Sequence, residues 1–220
     1  MLQTMKAGQP VALEDYQRFI NALKRMRMEI FALKRDIEEA LYALDPLTGI
    51  PGRIGLLAKL REQQSLVERG VQPCCLAMMD LDEFKLINDK YGHSVGDQVL
   101  IAFAHHAMEH LRPYDKVFRY GGEEFLIILP DTSLEEACDI IQRLRESLAR
   151  LPHHLGAEGE VNVTASFGIT MLDANTPIEK DIEHADEALY RAKSAGRNCC
   201  VAWKPTPPED GVPQQRDHAA

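Results

Sequence analysis

The sequence predicts an α+β fold: a central, mostly antiparallel sheet flanked by helices and preceded by one long amino-terminal helix. Short β-branched and aromatic runs are interspersed with amphipathic stretches, in an order that mixes strands and helices. Two of the runs face each other across Gly121-Gly122, which signals a hairpin between neighbouring antiparallel strands. Near the amino terminus, apolar residues recur at steps of three and four over about four heptads. With 220 residues, of which 45% are hydrophobic, the chain can bury one substantial core and still carry an extension.

The first element is the helix expected from Leu13 to Leu44. From Tyr16, its apolar positions are Phe19, Leu23, Met26, Ile30, Leu33, Ile37, Ala40 and Leu44, and residues such as Lys24, Arg27, Glu29, Lys34 and Glu38 fill the other faces. Such a stripe either packs on its own domain or pairs with a second copy. Its narrowness, and its end at Asp45-Pro46 where proline discourages helix, favour a parallel dimerising stalk over residues 1–44. Helices are then expected at Ile54 to Glu68, Glu83 to Tyr91, Gly96 to Leu111, Leu134 to Leu151 and Ile178 to Ala195. Strands are expected at Cys74 to Asp80, Val117 to Tyr120, Glu124 to Leu129, Val161 to Thr170 and Asn198 to Trp203. The proline-rich, polar residues 204–220 read as a disordered tail.

The run Arg119-Tyr120-Gly121-Gly122-Glu123-Glu124-Phe125 joins a two-glycine turn to two adjacent carboxylates. Glycines here are expected to supply the positive φ angles of a two-residue hairpin turn. The acid pair fits equally a solvated hairpin tip or a place beside a cation or a transferring proton. The apolar run from Cys74 to Met79 ends abruptly in Asp80-Leu81-Asp82, as a strand does when it delivers an aspartate to a site beside a sheet. If the hairpin pairs next to this strand, Asp80 and the Glu123/Glu124 pair converge. An all-oxygen set suits Mg²⁺ or Mn²⁺ rather than Zn²⁺, and such an ion generally takes phosphate as its remaining partner.

The stretch after Asp80 fits a nucleotide. The segment from Glu83 begins a short helix whose free N–H groups, with Lys85, suit an anion. Asn88 and Asp97 together offer the amide and carboxylate that a guanine edge requires, although they read equally as a helix terminator and a first-turn acid. His93 reads as a structural histidine. Lys193 and Arg197, four residues apart, form either a phosphate clamp or a solvated basic face.

Taken together, these motifs resemble the GGDEF family of diguanylate cyclases, in the variant whose signature reads Gly-Gly-Glu-Glu-Phe. The resemblance runs from about Asp45 to Trp203 through Asp45-Pro46-Leu47-Thr48-Gly49, Asp80-Leu81-Asp82-Glu83-Phe84-Lys85, Gly121 to Phe125 and His184 to Lys193. Gly52 departs from the pattern, standing where many relatives have asparagine.

The resemblance implies a domain akin to nucleotidyl cyclases and polymerase palms over residues 45–203. The implied reaction condenses two GTP into cyclic di-GMP with release of two pyrophosphates. It implies metal ligation by Asp80, the Leu81 carbonyl and one or both of Glu123 and Glu124, with Glu123 the candidate to deprotonate the attacking ribose hydroxyl. The backbone of Glu83 and Phe84, with Lys85, Lys193 and Arg197, would hold the triphosphate, and Asn88 and Asp97 would read guanine. One domain would hold one GTP, so a homodimer is required. Arg112 and Asp115 resemble the family's product-inhibition site, with Arg143 as a further contact. The alternative is a noncatalytic module that binds GTP or cyclic di-GMP and signals through protein interaction.

Composition excludes other classes. A net charge of −9 argues against a nucleic-acid surface, and no P-loop pattern is present. The five cysteines include two vicinal pairs in strand-like runs, the pattern of reduced core residues and not of a disulfide framework or zinc site. With no long apolar run and no signal-peptide pattern, a cytoplasmic protein without membrane insertion is expected. Residues 1–10 are too short to be a sensor, so the chain reads as part of a longer sensor protein or as an enzyme controlled through its helix.

Overall fold

Cys74–Leu81 (β1) is buried along its whole length, because both of its faces are covered. In the computed structural model, which describes residues 12–42, 44–154 and 160–204, this strand is the centre of the fold. Contacts divide the chain into two units, Met1–Asp45 and Pro46–Ala220.

The first unit contains α1, Leu13–Tyr42. The sequence suggested an end at Leu44, and Leu44 itself is not helical. Tyr16, Phe19, Leu23, Met26, Ile30 and Leu33 of the seam are all exposed on this chain. The side chains of Ile37 and Ala40 lie outside the described residues, as does the stalk sequence of residues 1–11. The expected disordered tail also lies outside them, apart from residue 204.

In the second unit, α2 (Arg53–Glu68) precedes β1, which is followed by α3 (Phe84–Tyr91), α4 (His93–His110), β2 (Lys116–Arg119), β3 (Glu124–Pro130) and α5 (Leu134–Leu148). Then come β4 (Pro152–His154), β5 (Glu160–Asn162), β6 (Ala165–Met171), α6 (Ile178–Ser194) and β7 (Cys200–Ala202). The main sheet has the order β2-β3-β1-β6-β7, antiparallel except for the β6–β7 pair that α6 connects as a crossover. Side chains of β1 alternate between two cores. Cys75, Ala77, Met79 and Leu81 pack with α3, α4 and α5, while Cys74, Leu76 and Met78 pack with α2 and α6.

Local chemistry explains the element ends. Ser133 accepts from the Glu136 N–H, and the Glu136 carboxylate accepts from the Ser133 N–H at 2.9 Å, which forms a capping box at the start of α5. Helix α4 begins at His93, three residues earlier than expected, because Gly92 at φ +84° turns the chain straight out of α3. At Gly168 a Cβ would run into the backbone of Ala185 and Leu189, so this glycine lets α6 lie directly on β6.

Two expectations are corrected. The single strand from Val161 to Thr170 is two strands in different sheets. The break falls where the Thr164 carbonyl accepts from the Asp82 N–H at 2.8 Å and its hydroxyl donates to the Asp82 carboxylate at 2.6 Å. The residues before the break pair instead with β4. The second correction concerns Gly121 and Gly122, whose φ angles are not positive. The connection from Tyr120 to Glu123 is longer than a two-residue turn, so the mirror-image turn geometry is not required. The Arg119 guanidinium holds it by donating to the Gly122 carbonyl at 2.7 Å and the Gly121 carbonyl at 3.2 Å. Tyr120 and Gly121 both donate to the Glu124 carbonyl. A Cβ at Gly121 would meet the end of the Glu124 side chain, which can turn aside.

Candidate functional site

The two acidic segments meet at one end of the sheet because of strand register. Asp80 lies opposite Glu124 of β3 on one side and Ser166 of β6 on the other. Directly opposed residues project from the same sheet face, here the face covered by α2 and α6. Glu123 is the last residue of the turn, and its carbonyl accepts from the Leu81 N–H at 3.4 Å.

Asp80 is buried, and Lys193 of α6 reaches it at 2.8 Å. Burial pushes the Asp80 carboxyl above the ordinary aspartate value, while the Lys193 ammonium pulls it back down. Glu123 and Glu124 are both raised, first by partial burial and then by the Asp80 charge. Asp186 of α6 adds to the repulsion at Glu124, and Arg53 opposes it. These carboxylates therefore repel one another and retain protons more readily than isolated acids. A bound cation would relieve that repulsion.

Among the described residues, no three His, Cys, Asp or Glu side chains are grouped closely enough to hold a metal ion unaided. The chemistry of the donor set nevertheless fits a hard divalent cation. Asp80, Glu123 and Glu124 offer only oxygen, and such an ion routinely takes water or phosphate oxygens for its remaining positions.

The other expected residues lie around this centre. Lys85 is exposed on the first turn of α3, which Glu83 enters at φ +57° with Phe84 buried beneath. Asn88 and Asp97 flank the α3–α4 turn, with the Asn88 amide against Gly96, the residue before Asp97. His93 is exposed and so is not the satisfied structural histidine expected from sequence. Arg197 is exposed in the turn after α6, at φ +66°.

Arg112 and Asp115 stand apart from the acids, at the turn before β2. Asp115 is buried and its carboxylate accepts from the Arg112 N–H at 2.9 Å, which fixes the turn and leaves the Arg112 side chain exposed. Arg112 borders two hollows. One, of about 410 Å³, includes Asp115, Tyr114 and Lys59, and the other, of about 400 Å³, includes Arg143.

Sequence reasoning passed over three neighbours of the centre. Arg53 sits 4.9 Å from the Tyr120 ring and shares a hollow of about 480 Å³ with Glu124 and Asp186. Asp82 uses its carboxylate for three hydrogen bonds inside the fold. Only its place two residues after Asp80 hinted at a role.

The domain that carries these residues is similar to known proteins. A family model described as the GGDEF domain of diguanylate cyclases matches residues 42–199. The diguanylate cyclase DgcP of Pseudomonas aeruginosa is 44% identical over 154 residues, which is 70% of this chain and 23% of DgcP. The response regulator PleD of Caulobacter vibrioides is 40% identical over 167 residues, 73% of this chain and 36% of PleD. The chain thus spans well under half the length of either relative. Among solved structures, diguanylate cyclase SiaD of Pseudomonas aeruginosa, in complex with its activator SiaC, superposes with a TM-score of 0.73 at 38% identity. That match covers 91% of this chain and 80% of SiaD.

Proposed function

The chain belongs to the GGDEF family of diguanylate cyclases, and from that premise we propose that it condenses two GTP molecules into cyclic di-GMP, releasing two pyrophosphates. The observation that carries the reading is the register that sets Asp80 opposite Glu124, with Lys193 against the same acid. Carboxylates and a cation side chain at the end of one strand match what a triphosphate needs.

Each half-reaction is an attack by the 3′-oxygen of one GTP on the α-phosphorus of the other. Mg²⁺ or Mn²⁺ held by Asp80, Glu123, Glu124 and the Leu81 carbonyl would neutralise charge on the phosphates and the developing alkoxide. The side chains do the rest. Glu123, raised above an ordinary glutamate, is suited to accept the proton of the attacking hydroxyl. Lys193 and Arg197 hold the triphosphate against the start of α3, where Lys85 and the N–H groups of Glu83 and Phe84 add donors. Asn88 and Asp97 select guanine.

One domain holds one GTP, so the reaction requires a homodimer in which two sites face each other. The exposed apolar seam of α1 supports pairing through that helix. Arg112, Asp115 and Arg143, bordering hollows away from the acids, support a product-inhibition site. No helix among the described residues is long and apolar enough to cross a membrane. GTP as substrate and free cysteines favour action in the cytoplasm.

The deciding experiment incubates the protein with GTP and Mg²⁺ beside a Glu123→Gln/Glu124→Gln control, with cyclic di-GMP and pyrophosphate measured by chromatography. Product from the parent alone is expected. A parent that binds GTP, is dimeric and free of bound product, yet makes none, would instead be a nucleotide-binding module. Removal of residues 1–44 should weaken dimerisation and lower specific activity, as read by sedimentation and the same assay.

A further inference from the structure

Asp82 is only 7% exposed, yet no cation is paired with it among the described residues. One carboxylate oxygen accepts from the Ser166 hydroxyl at 2.7 Å. The other accepts from the Thr164 hydroxyl at 2.6 Å and from the Asn198 backbone N–H at 2.9 Å. Its own N–H donates to the Thr164 carbonyl. Holding an ionised acid in such a place is costly, and three neutral donors are what make it tolerable. The carboxylate is therefore committed inward and is not a spare ligand beside Asp80.

The segments it ties together are the informative part. The turn from α6 to β7 runs through Gly196 at φ +119°, Arg197 at +66° and Asn198 at +45°. Two of these three residues carry side chains in a left-handed backbone, which persists only when the surroundings hold it. The holding contacts are the Arg197 N–H to the Ala192 carbonyl, the Asn198 N–H to Asp82, and the Arg145 guanidinium to the Asn198 carbonyl and side-chain oxygen at 3.1 and 2.7 Å. The residue directly after Asp82 is Glu83, itself at φ +57° as it opens α3. One buried side chain thus joins two strained turns, one bearing Arg197 and the other leading to Lys85. Both turns border a single hollow of about 430 Å³ lined by Asp82, Glu83, Thr164, Gly196, Arg197 and Asn198, among others.

We propose that Asp82 is a positioning residue for phosphate binding: its three hydrogen bonds fix the turn that carries Arg197 relative to the start of α3. This rests on the reading of Arg197 and α3 as the triphosphate clamp. Asp82 touches no substrate and acts through Arg197.

The chemistry of the three bonds sets the test. An asparagine can reproduce them, with its oxygen toward Thr164 and Asn198 and its amide toward the Ser166 hydroxyl, which turns to accept. Alanine reproduces none. Asp82→Ala should raise KM for GTP on the order of tenfold with a smaller change in kcat, and Asp82→Asn should restore most of the loss. In a cycle with Arg197→Ala, the double variant Asp82→Ala/Arg197→Ala should be little worse than Arg197→Ala alone. Should Asp82→Ala not fold, Thr164→Val/Ser166→Ala removes two of the donors and should raise KM by a smaller factor, again without effect on top of Arg197→Ala. An unchanged KM, an Asp82→Asn variant as impaired as Asp82→Ala, or multiplying effects with Arg197→Ala would each overturn the proposal. A parent that binds GTP without turning it over fails only the cyclase reading, because calorimetric GTP affinity then makes the same comparison.

Discussion

The Lys193 ammonium lies 2.8 Å from the Asp80 carboxylate, joining the last turn of α6 to the end of β1. The contact is asymmetric: the acid side chain is 8% exposed and the lysine 36%. The lysine keeps access to solvent and to a ligand, whereas the acid depends on what surrounds it. Lys193→Met therefore leaves a buried carboxylate without its cation, a change that should cost about 1–2 kcal/mol of stability at neutral pH. The penalty should shrink as the pH falls, because loss of Lys193 raises the Asp80 pKa further and the protonated acid needs no partner. Mg²⁺ should stabilise this variant more than the parent. Urea unfolding at two pH values, with and without the metal, checks all three expectations.

At the other site, Arg112 and Asp115 differ in what they support. The turn before β2 depends on the Arg112 backbone N–H and the Asp115 carboxylate, not on the arginine side chain. Arg112→Ala should therefore leave stability within about 0.5 kcal/mol and relieve inhibition by added cyclic di-GMP without abolishing synthesis. Asp115→Ala removes a buried acceptor and should both relieve inhibition and cost about 1 kcal/mol. Initial rates against product concentration, paired with thermal unfolding, separate the two. Unchanged inhibition in Arg112→Ala would remove the regulatory assignment.

The contrast between these sites shows what sequence can and cannot reveal here. Periodicity located all five strands of the main sheet, and the hairpin run identified β2 and β3 as neighbours. That pairing, with β1 beside β3, is enough to bring Asp80 opposite Glu124. Periodicity missed β4 and ran β5 into β6, since a three-residue strand shows no period of its own; β7, equally short, was found only within the longer run Asn198 to Trp203. Periodicity also could not tell Asp80 from Asp82. The two lie on the same side of an alternating pattern, and their different partners come from distant parts of the chain, Lys193 for one and Thr164, Ser166 and Asn198 for the other. The Gly-Gly pair suggests a turn with positive φ, yet neither glycine has one, because the longer connection from Tyr120 to Glu123 does not require it.

Space, not conformation, is what requires glycine at Gly168 in the core. A methyl group there meets the Ala185 carbonyl oxygen and the Leu189 nitrogen, both in the backbone of α6, so no side-chain rotation relieves it. Gly168→Ala should cost about 3 kcal/mol by forcing the helix off β6. Gly122→Ala is the control, since a Cβ there has nothing within 4 Å, and its effect should stay within about 0.5 kcal/mol. Urea midpoints for the pair distinguish loss of space from a general intolerance of alanine at strand and turn glycines.

Asp181, on the first turn of α6, supplies a pH-dependent term that is independent of the reaction centre. It is 1% exposed, its carboxylate accepts from the Asp173 N–H at 3.1 Å, and burial raises its pKa from 3.8 to about 6. The Asp173 charge pushes in the same direction. Between those two values the folded chain binds a proton at this site that the unfolded chain does not. Its contribution to stability is therefore fully present below about pH 4 and is lost as the pH rises through 6. Asp181→Asn removes the buried charge and retains an oxygen for the Asp173 N–H. At pH 7 the variant should be more stable than the parent by on the order of 2–3 kcal/mol. The advantage should decline through pH 6 and approach zero near pH 4. Chemical denaturation of both proteins across that range measures the gap directly. A gap that does not vary with pH would mean that this carboxyl keeps the same pKa in the folded and unfolded chain, and that α6 tolerates it for a reason other than protonation.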